Sequence, residues 1–283
     1  MTVSTAPVPV AANASGTTQT TTRRNRLWAL VIYVITALYF LLPLAATFYW
    51  SLRAERGTLG FEAYRRLFED ANFLPSFSQS IINAIIAIVI SLVIIVPTAY
   101  WVTLRLPKMR PVVEFITLLP FVIPAVVLSL ALIILYSRPP LLLTRTYESS
   151  RILLVCVYAA LSFPYMFRAV DNGLRAMDVR ALTEAAQSLG AGWPTILFRV
   201  IFPNLRVALI SGALLTFAIV IGELTIALFM AQRTLGPYMA NLTRSKVYEP
   251  SAMAIVAFAI TWAAMGIIQM IGRGQQGSIG GGH

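Results

Sequence analysis

The chain has 283 residues, 58% of them hydrophobic and only 12% charged, with a formal net charge of +11. So apolar a composition excludes an ordinary soluble domain. Its basic residues are scattered along hydrophobic sequence rather than clustered on a face, which excludes nucleic acid as a partner. The only lysines, Lys108 and Lys246, follow no glycine-rich stretch, so the chain does not itself hydrolyse ATP. One histidine, His283, and one cysteine, Cys156, leave neither a metal cluster nor an intrachain disulfide, and Cys156 reads as a buried small hydrophobe.

In chain order, residues 1–22 are uncharged and rich in Thr, Ser, Ala and Pro, the composition of a disordered N-terminal tail. A membrane domain over 23–271 follows. A bilayer core needs roughly 20 apolar residues per spanning helix. The first such run is about 27–50, preceded by Arg23, Arg24 and Arg26 and closed by Phe48, Tyr49 and Trp50, a pattern that places its amino end in the cytoplasm. Residues 51–79 mix both charges with Phe61, Tyr64, Leu67 and Phe68 at helical spacing, which predicts a short external amphipathic helix.

The second span is about 80–102, and the short loop carrying Arg105, Lys108 and Arg110 belongs on the cytoplasmic side. The third, about 112–136, contains Pro120 and Pro124, each lacking a backbone donor, so a bent or broken helix is expected. The fourth, about 152–167, is short. A mostly helical cytoplasmic segment over 168–204 leads to the fifth, about 205–230, with Glu223 inside it. The sixth, about 251–271, precedes a flexible Gly/Gln tail at 272–283. The expected fold is thus all-α and polytopic, with about six transmembrane helices and both termini cytoplasmic. Basic residues divide almost evenly between the two sides, so orientation rests on the flank of the first helix.

Residues 173–203 carry the most informative pattern. Ala185 and Ala186 beside Glu184 give a helix a small-residue surface suited to close docking. Gly190 and Gly192 interrupt it, Pro194 opens a second short helix, and Pro203 stands before the fifth span. The stretch resembles the cytoplasmic motif of ATP-binding cassette (ABC) importer permeases: Glu-Ala-Ala, three residues, Gly, nine residues, then Ile-x-Leu-Pro. Here it reads Glu184, Ala185, Ala186, Gly190, Val200, Phe202 and Pro203, with two apolar replacements that preserve burial.

The resemblance implies the type I importer permease fold, a non-catalytic subunit in a bacterial inner membrane, and a coupling helix at Glu184, Ala185, Ala186, Gly190 and Pro203. It also implies partners: an ABC ATPase dimer holding ATP-Mg, a second permease subunit, identical or paralogous, and an external solute-binding protein docking near 51–79 and 137–150. No cofactor is expected on this chain. The segment from Phe163 to Ala191 is most similar to permeases grouped with polyamine, opine and phosphonate importers, so spermidine or putrescine is the expected solute, with phosphonates, opines or an iron or oxyanion ligand as alternatives. An ion-gradient-driven secondary transporter is the competing class, but it should show intramembrane charge pairs and repeat symmetry, and neither is evident.

An ionised carboxylate at mid-bilayer costs about 2.5–3.5 kcal/mol on insertion scales, so Glu223 should face protein or water. Gly222-Glu223-Leu224 resembles a Gly-Glu-Phe element of several importer permeases. Two readings stand side by side for Glu223 and neighbouring Thr225: part of the translocation pathway, or a hydrogen-bonded packing element. A polycation would also favour Tyr100, Trp101, Tyr136 and Trp262. Asp171, Asp178 and Glu184 have no nucleophile or metal partner, so no catalytic residue is expected.

Overall fold

In the computed structural model, residues 21–54 and 59–273 are described, and these residues form helices and connections without strands. The tails expected at 1–22 and 272–283 fall almost entirely outside the described residues. Two units emerge, residues 1–47 and 48–283. The first contributes most of α1 (Thr21–Ser51), whose apolar run from Trp28 is long enough to cross a bilayer.

In the second unit, α2 (Glu62–Glu69) packs through Ala63 and Leu67, one turn apart. The expected apolar face is therefore corrected: Phe61 and Phe68 are exposed, and the small Ala63 makes the close approach instead. Next, α3 (Phe73–Leu104) starts earlier than Ser80, because Pro75 falls in the first helical turn, where its missing donor costs nothing. Ser76, Ser80, Ala84, Ala87 and Ser91 form its buried stripe, small enough for another helix backbone to come close.

The third span is two helices, α4 (Arg110–Val122) and α5 (Ala125–Tyr136), bent by 93°. Pro124 makes the break: Ile123 before it takes an extended backbone (ψ 124°), whereas Pro120 sits inside α4 without ending it. The fourth span, α6 (Tyr147–Arg175), is longer at both ends than the expected 152–167. Thr146 and Ser149 form a reciprocal capping box that fixes its start, and the polar residues past Phe167 continue the helix because Val170, Asp171 and Leu174 bury on its inner side.

Helix α6 lies alongside α3 in parallel register, as three contacts with the same 68-residue offset show: Tyr147 to Gln79, Arg151 to Asn83, and Ala159 to Ser91. Parallel neighbours must start on the same side of the membrane, so the chain has to return between them. The bent α4–α5 pair is therefore a crossing and not a re-entrant hairpin, which raises five unbroken candidate spans among the described residues to six.

Past α6 come α7 (Val179–Ser188), α8 (Trp193–Thr195), a π-turn over Ile196–Ile201 and α9 (Phe202–Gly222). The fifth span differs from expectation at both ends. Pro203 does not open it, since helix runs unbroken from Trp193 to Gly222. The π-turn absorbs the mismatch that Pro203 creates with the carbonyl four residues earlier, and Asn204 Nδ2 donates to the Val200 carbonyl at 2.8 Å. At its other end the span stops at Glu223–Leu224 and resumes as α10 (Thr225–Phe229). The connection expected at 231–250 is largely α11 (Leu235–Ser245), and α12 (Glu249–Arg273) is the last span.

Helix α9 runs antiparallel to α6. Gly173 lies against Leu205 and Ala208, Met166 against Gly212, and Tyr158 against Glu223. One end of the second unit thus carries α2, Tyr147 and α11, and the other carries α7 and Gly190.

Candidate functional site

At the α7 end, the motif residues are ordered by local hydrogen bonding. Asp178 caps α7 by accepting from Ala181 N at 3.0 Å. The helix stops in a Schellman arrangement: Ala191 N donates to the Ala186 carbonyl at 3.0 Å and Gly190 N to the Gln187 carbonyl at 2.9 Å. Gly190 has φ +79°, a left-handed conformation that only glycine adopts without strain. Ala186 is buried against Ala191, the apolar contact that accompanies this cap, and joins Val179, Ile196, Leu197 and Ile201 in one cluster.

The neighbouring side chains turn the other way. Glu184, Ala185 and Gly190 are exposed, with Glu184 accepting from Arg180 Nε at 2.8 Å along the surface, and Pro203 is exposed at the start of α9. Leu189, at the tip, is 89% exposed. Sequence reasoning passed over it; the available signal was a large apolar residue next to the glycine that ends a polar helix. Behind this surface α7 and α8 are tied to α3: Tyr100 Oη and Thr183 Oγ1 of α7 lie 3.2 Å apart, and Trp101 stacks on Trp193 of α8 with ring centroids 6.3 Å apart. A push on α7 therefore reaches a membrane-spanning helix through direct contacts.

Next to Arg110 of α4, the buried Asp171 accepts from its guanidinium and pairs with Arg175 Nε at 3.2 Å. Asp171 and Asp178 are thereby occupied as an ion-pair centre and a helix cap.

Inside the membrane the break at Glu223 is held by that residue's own carboxylate. Oε1 accepts from Ile226 N at 2.7 Å and Oε2 from Ala227 N at 3.1 Å, which caps the first turn of α10, while the buried Tyr158 hydroxyl donates to Oε2 at 3.1 Å. The carboxylate sits where backbone donors and the helix dipole favour negative charge. Thr225 is half-buried in that same turn. Of the aromatic residues considered with Glu223, Trp262 lines a pocket together with Gly222 and Leu224, the chain neighbours of Glu223. Tyr100 and Trp101 lie by α7, Tyr136 packs in the cluster around Tyr158, and Trp262 is exposed on α12. Cys156, expected to be buried, is exposed on α6.

Comparison with known proteins places this geometry. Residues 95–272 match the family described as binding-protein-dependent transport system inner membrane component. The chain belongs to this family. It is therefore a multi-pass inner-membrane permease subunit of an ABC importer, a component that is not itself catalytic, and the secondary-transporter alternative is set aside. Among its relatives, the permease is 28% identical over 170 residues to the molybdenum transport system permease protein ModB of Escherichia coli K12, covering 55% of this chain and 74% of that protein. It is 26% identical over 258 residues to the spermidine/putrescine transport system permease protein PotB homolog of Mycoplasma genitalium, covering 86% and 88%. Its fold matches a bacterial ABC transporter involved in the import of the acidic polysaccharide alginate, with a TM-score of 0.67, 16% identity, and coverage of 88% of this chain and 97% of that one.

Proposed function

We propose that the permease lines half of a solute pathway and that α7, with the Gly190 turn, docks into an ABC ATPase whose closure on ATP-Mg moves α3 and α9. The arrangement of α7 carries this reading: Ala186 and the Schellman cap fasten it to the membrane helices, while Glu184, Ala185 and Leu189 face outward on an otherwise polar tip. Two ATPase subunits closing together act on two such tips, so a second permease copy or paralogue completes the pathway. An external binding protein delivers solute at the opposite end, where α2 and α11 sit. Six crossings return both termini to the α7 side, the cytoplasm in this reading.

For the solute, spermidine or putrescine is supported by the relative matched over 86% of the chain. The molybdenum relative supports an oxyanion as the second reading. Glu223 favours neither solute, since its carboxylate is engaged by backbone donors and Tyr158.

The test is affinity purification of the tagged permease in mild detergent. Recovery of an ABC ATPase with the native chain, and its loss from the Glu184→Lys/Gly190→Val double variant that still inserts in membranes, is the expected result. Undiminished recovery with the double variant refutes the docking assignment. Stimulation of ATPase activity by the co-purified binding protein loaded with spermidine, putrescine or molybdate then decides the solute.

A further inference from the structure

On an exposed side of α3 and α6, toward the α11 end, lies a groove of about 270 Å3. Ile86 and Ile90 of α3 form one wall, Ile152 and Cys156 of α6 the other, and Glu148 and Arg151 stand at its mouth. The capping box at Thr146 and Ser149 marks where α6 begins, so Arg151 lies roughly 6 Å along the helix from Tyr147, and the apolar walls run inward beyond it.

Arg151 is half-buried, with Nε donating to Asn83 Oδ1 at 3.0 Å, a bond that holds the guanidinium in place. Among the described residues no carboxylate lies within 4 Å of it, as an ion pair would require. A half-buried cation beside apolar walls calls for a counter-charge, and guanidinium nitrogens fit the oxygens of a phosphate. Glu148, three residues earlier on the same helix face, adds a negative group beside it. The mouth thus presents one positive and one negative group above an apolar slot.

We propose that this groove holds one molecule of phosphatidylethanolamine, its phosphate on Arg151, its ammonium on Glu148 and an acyl chain along Ile86, Ile90 and Cys156. The two-carbon bridge of the headgroup joins charges in the same pairing as the two side chains. A purely anionic headgroup would meet repulsion from Glu148, and a choline headgroup has no N–H to donate to it. Chain and headgroup are both required, so free phosphate does not satisfy the site.

The experiment uses the intact transporter, permease with its ATPase, delipidated and then titrated with phosphatidylethanolamine, phosphatidylcholine or phosphatidylglycerol of identical acyl chains, with bound lipid read by native mass spectrometry. One phosphatidylethanolamine per permease chain should be retained in preference to the other two. Arg151→Gln should weaken retention roughly tenfold or more, the loss expected for a charge-assisted hydrogen bond, and Arg151→Lys should weaken it less. Glu148→Gln should abolish the preference over phosphatidylglycerol while phosphate binding persists. Cys156, the only cysteine in the chain, gives an independent readout: phosphatidylethanolamine should slow its alkylation by a membrane-soluble maleimide in the native protein but not in Arg151→Gln. Equal retention of the three lipids, unchanged by Arg151→Gln, overturns the proposal. So does a Cys156 that stays protected after complete delipidation and reacts only once the permease subunits separate, which would make the groove a protein interface.

Discussion

The Tyr158 hydroxyl on α6 donates to Glu223 Oε2 at 3.1 Å, and the same oxygen accepts the Ala227 backbone N–H at 3.1 Å. One carboxylate thus ties two spans together and starts α10. If its role is structural, Glu223→Ala lowers thermal stability by about 1–2 kcal/mol through loss of the cap, and Tyr158→Phe costs about 1 kcal/mol. Transport should then fall in proportion to folded protein in both variants. Transport lost from a Glu223→Gln variant whose melting is unchanged would instead assign Glu223 to the solute pathway.

A second constraint on the break comes from α11. A Cβ on Gly236 would overlap the backbone carbonyl of Glu223 and lie 2.9 Å from the Leu224 Cα, and neither is the free end of a side chain. Gly236→Ala must therefore move α11 or the break. The expected outcome is increased protease sensitivity of the 231–248 region together with reduced transport. Native digestion patterns for Gly236→Ala would show that α11 shifts without cost.

How far the sequence disclosed this architecture depends on whether the cause was local. The α7 turn was legible because Gly190, Gly192 and Pro194 punctuate it within a few residues. The bend in the third span was legible too, but not which proline makes it, since Pro120 is accommodated inside α4 while Ile123–Pro124 breaks the chain. The interruption at Glu223 was hidden: no proline marks it, and its caps involve backbone donors three and four residues ahead plus a tyrosine from α6. The surroundings of Cys156 were equally invisible, because an apolar run does not say which side of a helix meets lipid.

At the α11 end, Glu62 accepts from Arg66 Nε and Arg65 Nη2, both at 3.0 Å. The bond to Arg66, then that to Arg65, holds its carboxyl below the ordinary value of 4.5 against a partial opposing effect of desolvation. A depressed folded value means the contribution to α2 is complete above the ordinary glutamate range and is lost as pH falls through the lowered value. Carboxyl 13C titration of labelled protein should give Glu62 a midpoint below 4.5, moving upward in Arg66→Gln. An unchanged midpoint in that variant would remove Arg66 as the main cause.

Asp171 joins α6 to α4 through Arg110 and is also paired with Arg175. Asp171→Asn should destabilise the permease by about 2 kcal/mol, less than the roughly 3–5 kcal/mol of a fully buried pair, because both guanidinium groups reach water. Replacing Asp171 and Arg110 together with leucine should recover part of that loss, since the charges left without these partners, Arg175 and Glu114, are both exposed enough to be solvated. Thermal melts of the single and double variants check this, and a double variant worse than the single would indicate that the pair is favourable beyond its desolvation cost.

Leu189 separates docking from folding. It is 89% exposed and its backbone N–H bonds to the carbonyls of Ala185 and Ala186, so changing its side chain leaves the Schellman cap intact. A lone exposed leucine needs no explanation, but this one stands at the tip of the segment proposed to enter the ATPase. Leu189→Asp should leave membrane insertion and melting within about 0.5 kcal/mol of native, as expected for a surface site. It should nevertheless release the ATPase during purification and abolish solute-stimulated hydrolysis. Gly190→Ala should do both, weakening the fold of the turn by roughly 1–2 kcal/mol through its φ of +79° and loosening ATPase association with it. Retained association in Leu189→Asp alongside loss in Gly190→Ala would place the contact on the flanks of α7 rather than at its tip.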